Sequence, residues 1–182
     1  MKLWLLSALV ALLCVAAVPS SAEAAAAGED EFMQTAIDEA VNGVGKGEGG
    51  PFGAVIVKDG KILVRAHNQV LLTHDPTAHA EVQAIRKASA LLGRFDLSDC
   101  VLYASCEPCP MCLGAIHWAK LRKVVYGATR YDAANAGFDD SYIYEVIQGK
   151  AKVLQVAMEH RPGSGDDRPF ALWKQKTDKT QY

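Results

Sequence analysis

Two short stretches hold the residues best suited to chemistry. In "TAHAE", His79 and Glu81 stand two apart, and in "SCEPCPMC", Cys109 and Cys112 stand three apart. Imidazole and thiolate are zinc ligands. One histidine and two cysteines fill three tetrahedral positions and leave the fourth open for water, the mark of a catalytic rather than a structural site. A carboxylate beside such a centre is a candidate proton carrier. Each stretch alone says less. C-x-x-C serves redox pairs as well as metal sites, and a single histidine near a helix start is more often a cap or a core residue.

The elements around these residues must bring them together. Side chains two apart on the flank of a helix point away from each other. In the first turn they tilt toward the helix N-terminus, so His79 and Glu81 can share a target lying off its end. "THDPTAHAEVQAIRKASALLG" reads as a turn at Asp75-Pro76 and then a helix, with Thr77 as N-cap and Gly93 as stop. A second helix is expected over residues 109–119. There Cys109 and Cys112 share one face, Pro110 fits the first turn, and the helix N-terminus favours thiolate.

The remaining elements follow from periodicity. Apolar residues at Phe32, Ala36, Ile37, Ala40, Val41 and Val44 give one face of a helix over residues 29–44, stopped by "GKGEGGP". Two β-branched runs around Asp59-Gly60 predict a hairpin. Further strands are expected at "CVLYAS", "KVVYGAT" and "AKVLQVAM", and further helices at "FDDSYIYEVI" and "RPFALWKQK". Strands alternating with helices after a hairpin predict a three-layer α/β/α domain with a central mixed sheet of five strands.

Length and composition fit this. The chain has 182 residues, half of them hydrophobic, with a net charge of −2. That is enough for one domain with a real core, and there is no basic excess to predict a nucleic-acid footprint. The first 24 residues differ from the rest: Lys2, an apolar run over residues 3–18, and an A-x-A-like exit predict a secretory signal peptide. The run is short for a membrane span. The expected mature domain is residues 25–182, exported to the periplasm or medium if the leader works and cytoplasmic otherwise, with no stable membrane association after leader removal. Its four cysteines, Cys100, Cys106, Cys109 and Cys112, allow three full disulfide pairings, and the count alone does not choose between bridge and metal.

Taken together, H-x-E followed by P-C-x-x-C is the signature of zinc-dependent nucleobase deaminases. The chain resembles the cytidine deaminase-like superfamily and, within it, the guanine deaminase branch. The matching stretches are "GGPFGAVIVKDG", "HN", "DPTAHAEVQAIRKA", "LYASCEPCPMCLGAIHWA", "VVYGA" and "AGFDD". The resemblance implies the cytidine deaminase-like fold and one zinc ion per chain, held by His79, Cys109 and Cys112. It further implies zinc-activated water as nucleophile, Glu81 as proton shuttle, and backbone N–H groups near Cys109 meeting the developing oxyanion. A purine base, guanine, is the implied substrate, deaminated to xanthine and ammonia, and a homodimer is the implied assembly.

It also implies substrate contacts from Asn68, Phe52, Ala80, Trp118, Phe138, Asp140 and Tyr182, the last closing the pocket of its own or a neighbouring subunit. Asp139 is as well placed as Asp140, and either could cap the following helix. Cys100 and Cys106 are expected to pack, and His67, His74, His117 and His160 match no site and are expected in solvated or core roles. The rival readings are a guanosine deaminase, a tRNA adenosine or cytosine deaminase, and an exported thiol–disulfide oxidoreductase using Cys109 and Cys112. The near-neutral charge argues against the tRNA reading, and the oxidoreductase leaves the H-x-E unused.

Overall fold

Strand β1 (Gly53–Lys58, "GAVIVK") is buried along almost its whole length, because both its faces and both its edges are covered. Its edges pair antiparallel with β2 (Lys61–His67) and with β3 (Cys100–Cys106). The β1–β2 turn places Asp59 at φ 50° and Gly60 at φ 70°, the two positive φ values that a two-residue hairpin requires. β3 in turn pairs parallel with β4 (Lys123–Ala128), giving the sheet order β2-β1-β3-β4.

Alternation along β1 divides the core in two. Val55 and Val57 meet Ala36 and Tyr103 under α1 (Ser21–Gly45), while Ala54 and Ile56 face Ala84, Ala88, Leu102 and Ile116 on the opposite side. That second layer is built by α3 (Ala80–Leu92) and by α4 (Pro110–Trp118), the crossover between β3 and β4. The result is the expected three-layer α/β/α domain. α1 lies so close to the sheet that a Cβ on Gly53 would sit 2.1 Å from the Ala36 carbonyl oxygen. Burying a side chain the size of Ile56 or Leu102 contributes about 1.5–3 kcal/mol, so these two small clusters hold the layers together.

The computed structural model describes residues 21–152, 155–163 and 165–181, with side chains from residue 28. The leader predicted over residues 1–24 therefore lies mostly outside the described residues, as does Tyr182. None of the helices described is long and apolar enough to cross a membrane.

Three expectations need correction. The sheet has four strands among the described residues, not five. "AKVLQVAM" has an apolar run, and its described residues, 151–152 and 155–158, form no ladder. Second, the N-cap of α3 is His79 and not Thr77. Thr77 is spent in the preceding turn, where its N–H and hydroxyl both donate to Asp75 Oδ1 at 2.8 and 2.7 Å. Gly93 does end the helix, in the left-handed conformation at φ 65°. Third, two short helices were not foreseen: α2 (Val70–Thr73) and α5 (Arg130–Asn135). α5 is capped reciprocally by Thr129 and Asp132, a T-x-x-D spacing visible in the sequence. α6 (Ser141–Ile147) and α7 (Arg168–Gln175) follow, and no described residue after Leu121 is buried.

Candidate active site

The reactive residues meet because they lie at the starts of two helices. His79 is the N-cap of α3 and Cys109 the N-cap of α4, both with extended backbone at ψ 156° and 167°. Both helices pack on the same face of the sheet, which sets their N-termini side by side. Cys112, one turn into α4, completes the group and is fully buried.

His79 Nδ1 lies 3.6 Å from Cys109 Sγ and 3.6 Å from Cys112 Sγ. All three ligand atoms fall within 4.8 Å of one another. Zinc bound at about 2.3 Å to sulfur and about 2.0 Å to nitrogen in tetrahedral geometry separates those atoms by about 3.6 Å. The donor set and its spacing fit that ion. All four described cysteines after the leader are free thiols.

Electrostatics separate the three groups. The Cys112 thiol, donating toward Cys109, pulls the Cys109 pKa down to about 4, with help from His79 and the Cys112 backbone amide. The same contact, together with burial, pushes Cys112 up. His79 is raised, chiefly by its hydrogen bond with Cys109. Glu81, 7% exposed, is raised by burial, with the Cys109 charge adding to the effect. A carboxyl kept above its ordinary range in an apolar setting is the state suited to carrying a proton back and forth.

These residues open into a cavity of about 590 Å³. His79, Glu81 and Cys109 form its floor, and Asn68, Phe52, Phe138 and Asp140 stand in its walls. Phe52 and Phe138 meet edge to face, with centroids 5.0 Å apart at 88°. Gly50 packs against both rings, since a Cβ there would be 3.1 Å from Phe138 and 3.2 Å from Phe52. The Asn68 amide has a defined polarity. Its Oδ1 accepts the Gly50 and Val70 amides at 3.2 and 3.1 Å, which leaves Nδ2 as a donor. Asp140 stands at the N-cap position of α6 without a side-chain cap bond, while Asp139 before it accepts the Ser141 amide at 2.9 Å. That leaves the Asp140 carboxyl, raised by burial and by the Cys109 charge, at the cavity.

Two other residues implicated by resemblance stand elsewhere. Ala80 is fully buried in the core and outside the cavity lining. Trp118 is in the last turn of α4, 63% exposed, with its ring against His117 and outside the cavity lining. Cys106 is buried, donates toward the Thr129 carbonyl at 3.5 Å, and is pushed up to about 11 by burial, a packed thiol as expected. Sequence reasoning missed Arg130 and Glu107, which lie at the cavity and are linked by the Arg130 amide donating to Glu107 Oε2 at 3.1 Å. Glu107 lies within "SCEPC", so the motif itself carried that signal.

A histidine and two cysteines at paired helix starts, over an α/β/α sheet and beside a buried glutamate, define a zinc-binding deaminase site. The chain belongs to the family of the cytidine and deoxycytidylate deaminase zinc-binding region, which matches residues 27–128. Within it, the chain is 50% identical over 153 residues to the guanine deaminase of Bacillus subtilis, covering 84% of this chain and 98% of that protein. The X-ray structure of a Bacillus subtilis guanine deaminase superposes with a TM-score of 0.81 over the same shares of the two chains. A guanine deaminase from Nitrosomonas europaea is 32% identical, with a TM-score of 0.57 over 60% of this chain and 63% of that one. A tRNA-specific adenosine deaminase of Aquifex aeolicus is 44% identical over 56% of this chain and 66% of its own length.

Proposed function

We propose that the chain is a zinc-dependent hydrolase that converts guanine and water to xanthine and ammonia, serving purine breakdown or salvage. The observation that carries this is the His79–Cys109–Cys112 cluster opening, beside buried Glu81, into a cavity walled by an aromatic pair and an amide donor. Similarity along nearly the whole length of the Bacillus subtilis guanine deaminase supports guanine over a tRNA substrate, for which the likeness is shorter.

Zinc held by His79, Cys109 and Cys112 supplies the Lewis acidity that makes water nucleophilic near neutral pH. Glu81 takes a proton from the attacking water and passes it to a purine ring nitrogen as the water oxygen adds to the carbon bearing the exocyclic amine. Glu81 then carries the second proton to the departing amine, so ammonia leaves and not amide ion. Phe52 and Phe138 grip the ring and exclude water from it. Asn68 Nδ2 donates to a purine acceptor, and the Asp140 carboxyl meets the polar edge.

The test is ammonia release from the purified, zinc-loaded chain offered guanine, guanosine, cytosine and adenine side by side. Guanine is expected to react fastest. Faster release from guanosine or adenine would overturn the substrate, and release from none would overturn the enzymatic reading.

A further inference from the structure

His67 is the last residue of β2, adjacent to Asn68, and is only 8% exposed. Its expected role was solvated or core. The structure instead gives it two carboxylate partners. Nδ1 is 3.2 Å from Glu39 Oε2 on α1, and Nε2 is 2.5 Å from Glu48 Oε2 in the loop between α1 and β1. Each ring nitrogen thus faces a carboxylate oxygen brought by a different segment of the chain. Hydrogen bonds in which one partner is an ionised carboxylate are stronger than neutral ones. Glu48 registers the contact: its carboxyl is lowered, chiefly by His67. The ring is wedged under α1 so tightly that a Cβ on Gly43 would lie 2.7 Å from His67 Cδ2.

What the ring holds is a loop whose first residues are tied to α1 by the Lys46, Gly47 and Glu48 amides and whose Glu48 side chain is fixed by His67. "GKGEGG" is mostly glycine, whose backbone loses more freedom on ordering than that of any other residue. Yet this loop must be placed to within a fraction of an ångström. The Gly49 backbone presses on Asn68, where a Cβ would be 2.2 Å from Asn68 Oδ1, and the Gly50 amide donates to that same oxygen. The Glu48 carbonyl also accepts the Leu71 and Leu72 amides at 3.1 and 3.0 Å, tying α2 to the loop. The chain of contacts therefore runs from Glu39 through His67 to Glu48, then Gly49–Gly50, and ends on the Asn68 amide at the cavity wall.

We propose that His67, clamped between Glu39 and Glu48, is a positioning residue that holds the glycine loop against Asn68 and so fixes the donor that Asn68 turns to the substrate. The inference deepens the reading of the site given above and rests on Asn68 meeting the purine. His67 touches neither the ligand cluster nor Glu81, so its removal acts on binding and leaves the chemical step.

The test uses the full zinc-loaded chain carrying His67→Gln, Glu48→Gln, and both together. Each single variant is expected to raise KM for guanine about tenfold, the cost of losing the His67–Glu48 contact that both disrupt. Neither should change kcat or zinc content, and the double variant should be no worse than the worse single. A merely structural histidine would lower the active fraction, and with it kcat, while leaving KM unmoved. Amide exchange supplies a readout without substrate: Gly50 should exchange about tenfold faster in both single variants while β1 and β3 stay protected. An unchanged KM, or an unchanged Gly50 amide, overturns the clamp. Should His67→Gln fail to fold, Glu48→Gln carries both readouts, because Glu48 lies on the loop and outside the core. If the wild-type chain proves inert toward guanine, the substrate reading fails alone, and the Gly50 exchange rate still decides the clamp.

Discussion

His79 Nδ1 stands 3.6 Å from Cys112 Sγ although 33 residues separate them along the chain. The whole of β3 and the turn into α4 lie between, so the pair reports whether the α3 and α4 ends are in register on the sheet.

Cys112→Ser should therefore cost more than one ligand. The variant is expected to copurify with less than a tenth of the zinc of the wild type and to lose its ammonia release in proportion. Metal content by atomic emission, measured beside activity, checks it. A chelator that strips the wild type should reproduce the variant, and added zinc should restore only the wild type.

Glu81→Gln removes a proton carrier and keeps the shape of the buried side chain. Zinc should stay at one ion per chain while kcat falls by about 10²–10⁴, the usual contribution of general acid–base catalysis. Full activity in this variant would refute the assignment of Glu81.

Acid stability turns on a different carboxylate. Asp99 meets Lys58 at 3.1 Å and Arg94 on its other oxygen, and these partners, Lys58 foremost, lower its pKa to about 2. A depressed carboxylate stabilises the fold above its unfolded value and loses that contribution as the pH falls through the folded one. Stability should thus decline from about pH 4 toward pH 2. Asp99→Asn should flatten this part of the profile and leave the midpoint of urea unfolding less dependent on acid than in the wild type.

Gly53→Ala tests the seat of α1. The added methyl would collide with the Ala36 carbonyl, which is backbone and unable to rotate aside. A loss of about 1–3 kcal/mol or more is expected, read as a drop in the thermal midpoint.

Much of the fold was legible because local and global signals agree. The β-branched run of β1 is central and buried, Asp59-Gly60 turns where both residues take positive φ, and Gly93 closes α3. The clustering of His79, Cys109 and Cys112 was legible because helix starts are written locally, in His79 and in the Cys109–Pro110 pair. What stayed hidden depends on distant partners. The run over residues 151–158 reads as a strand from its apolar pattern alone, and pairing, which a pattern does not carry, is absent from its described residues. His67 shows nothing in its own neighbourhood, since Glu39 and Glu48 reach it from 28 and 19 residues away. Asp139 and Asp140 look alike in sequence, and only the Ser141 amide distinguishes them.

The placement of two candidate metal ligands, His79 and Cys109, at helix N-caps has a kinetic consequence. His79 and Cys109 begin two helices, so an ion that leaves through opening of those first turns would escape no faster than they open. The half-life of the ion against a chelator is then a clock for local opening at the α3 and α4 termini. Any substitution that lengthens it has stiffened the helix ends, even if the melting temperature of the whole domain does not move.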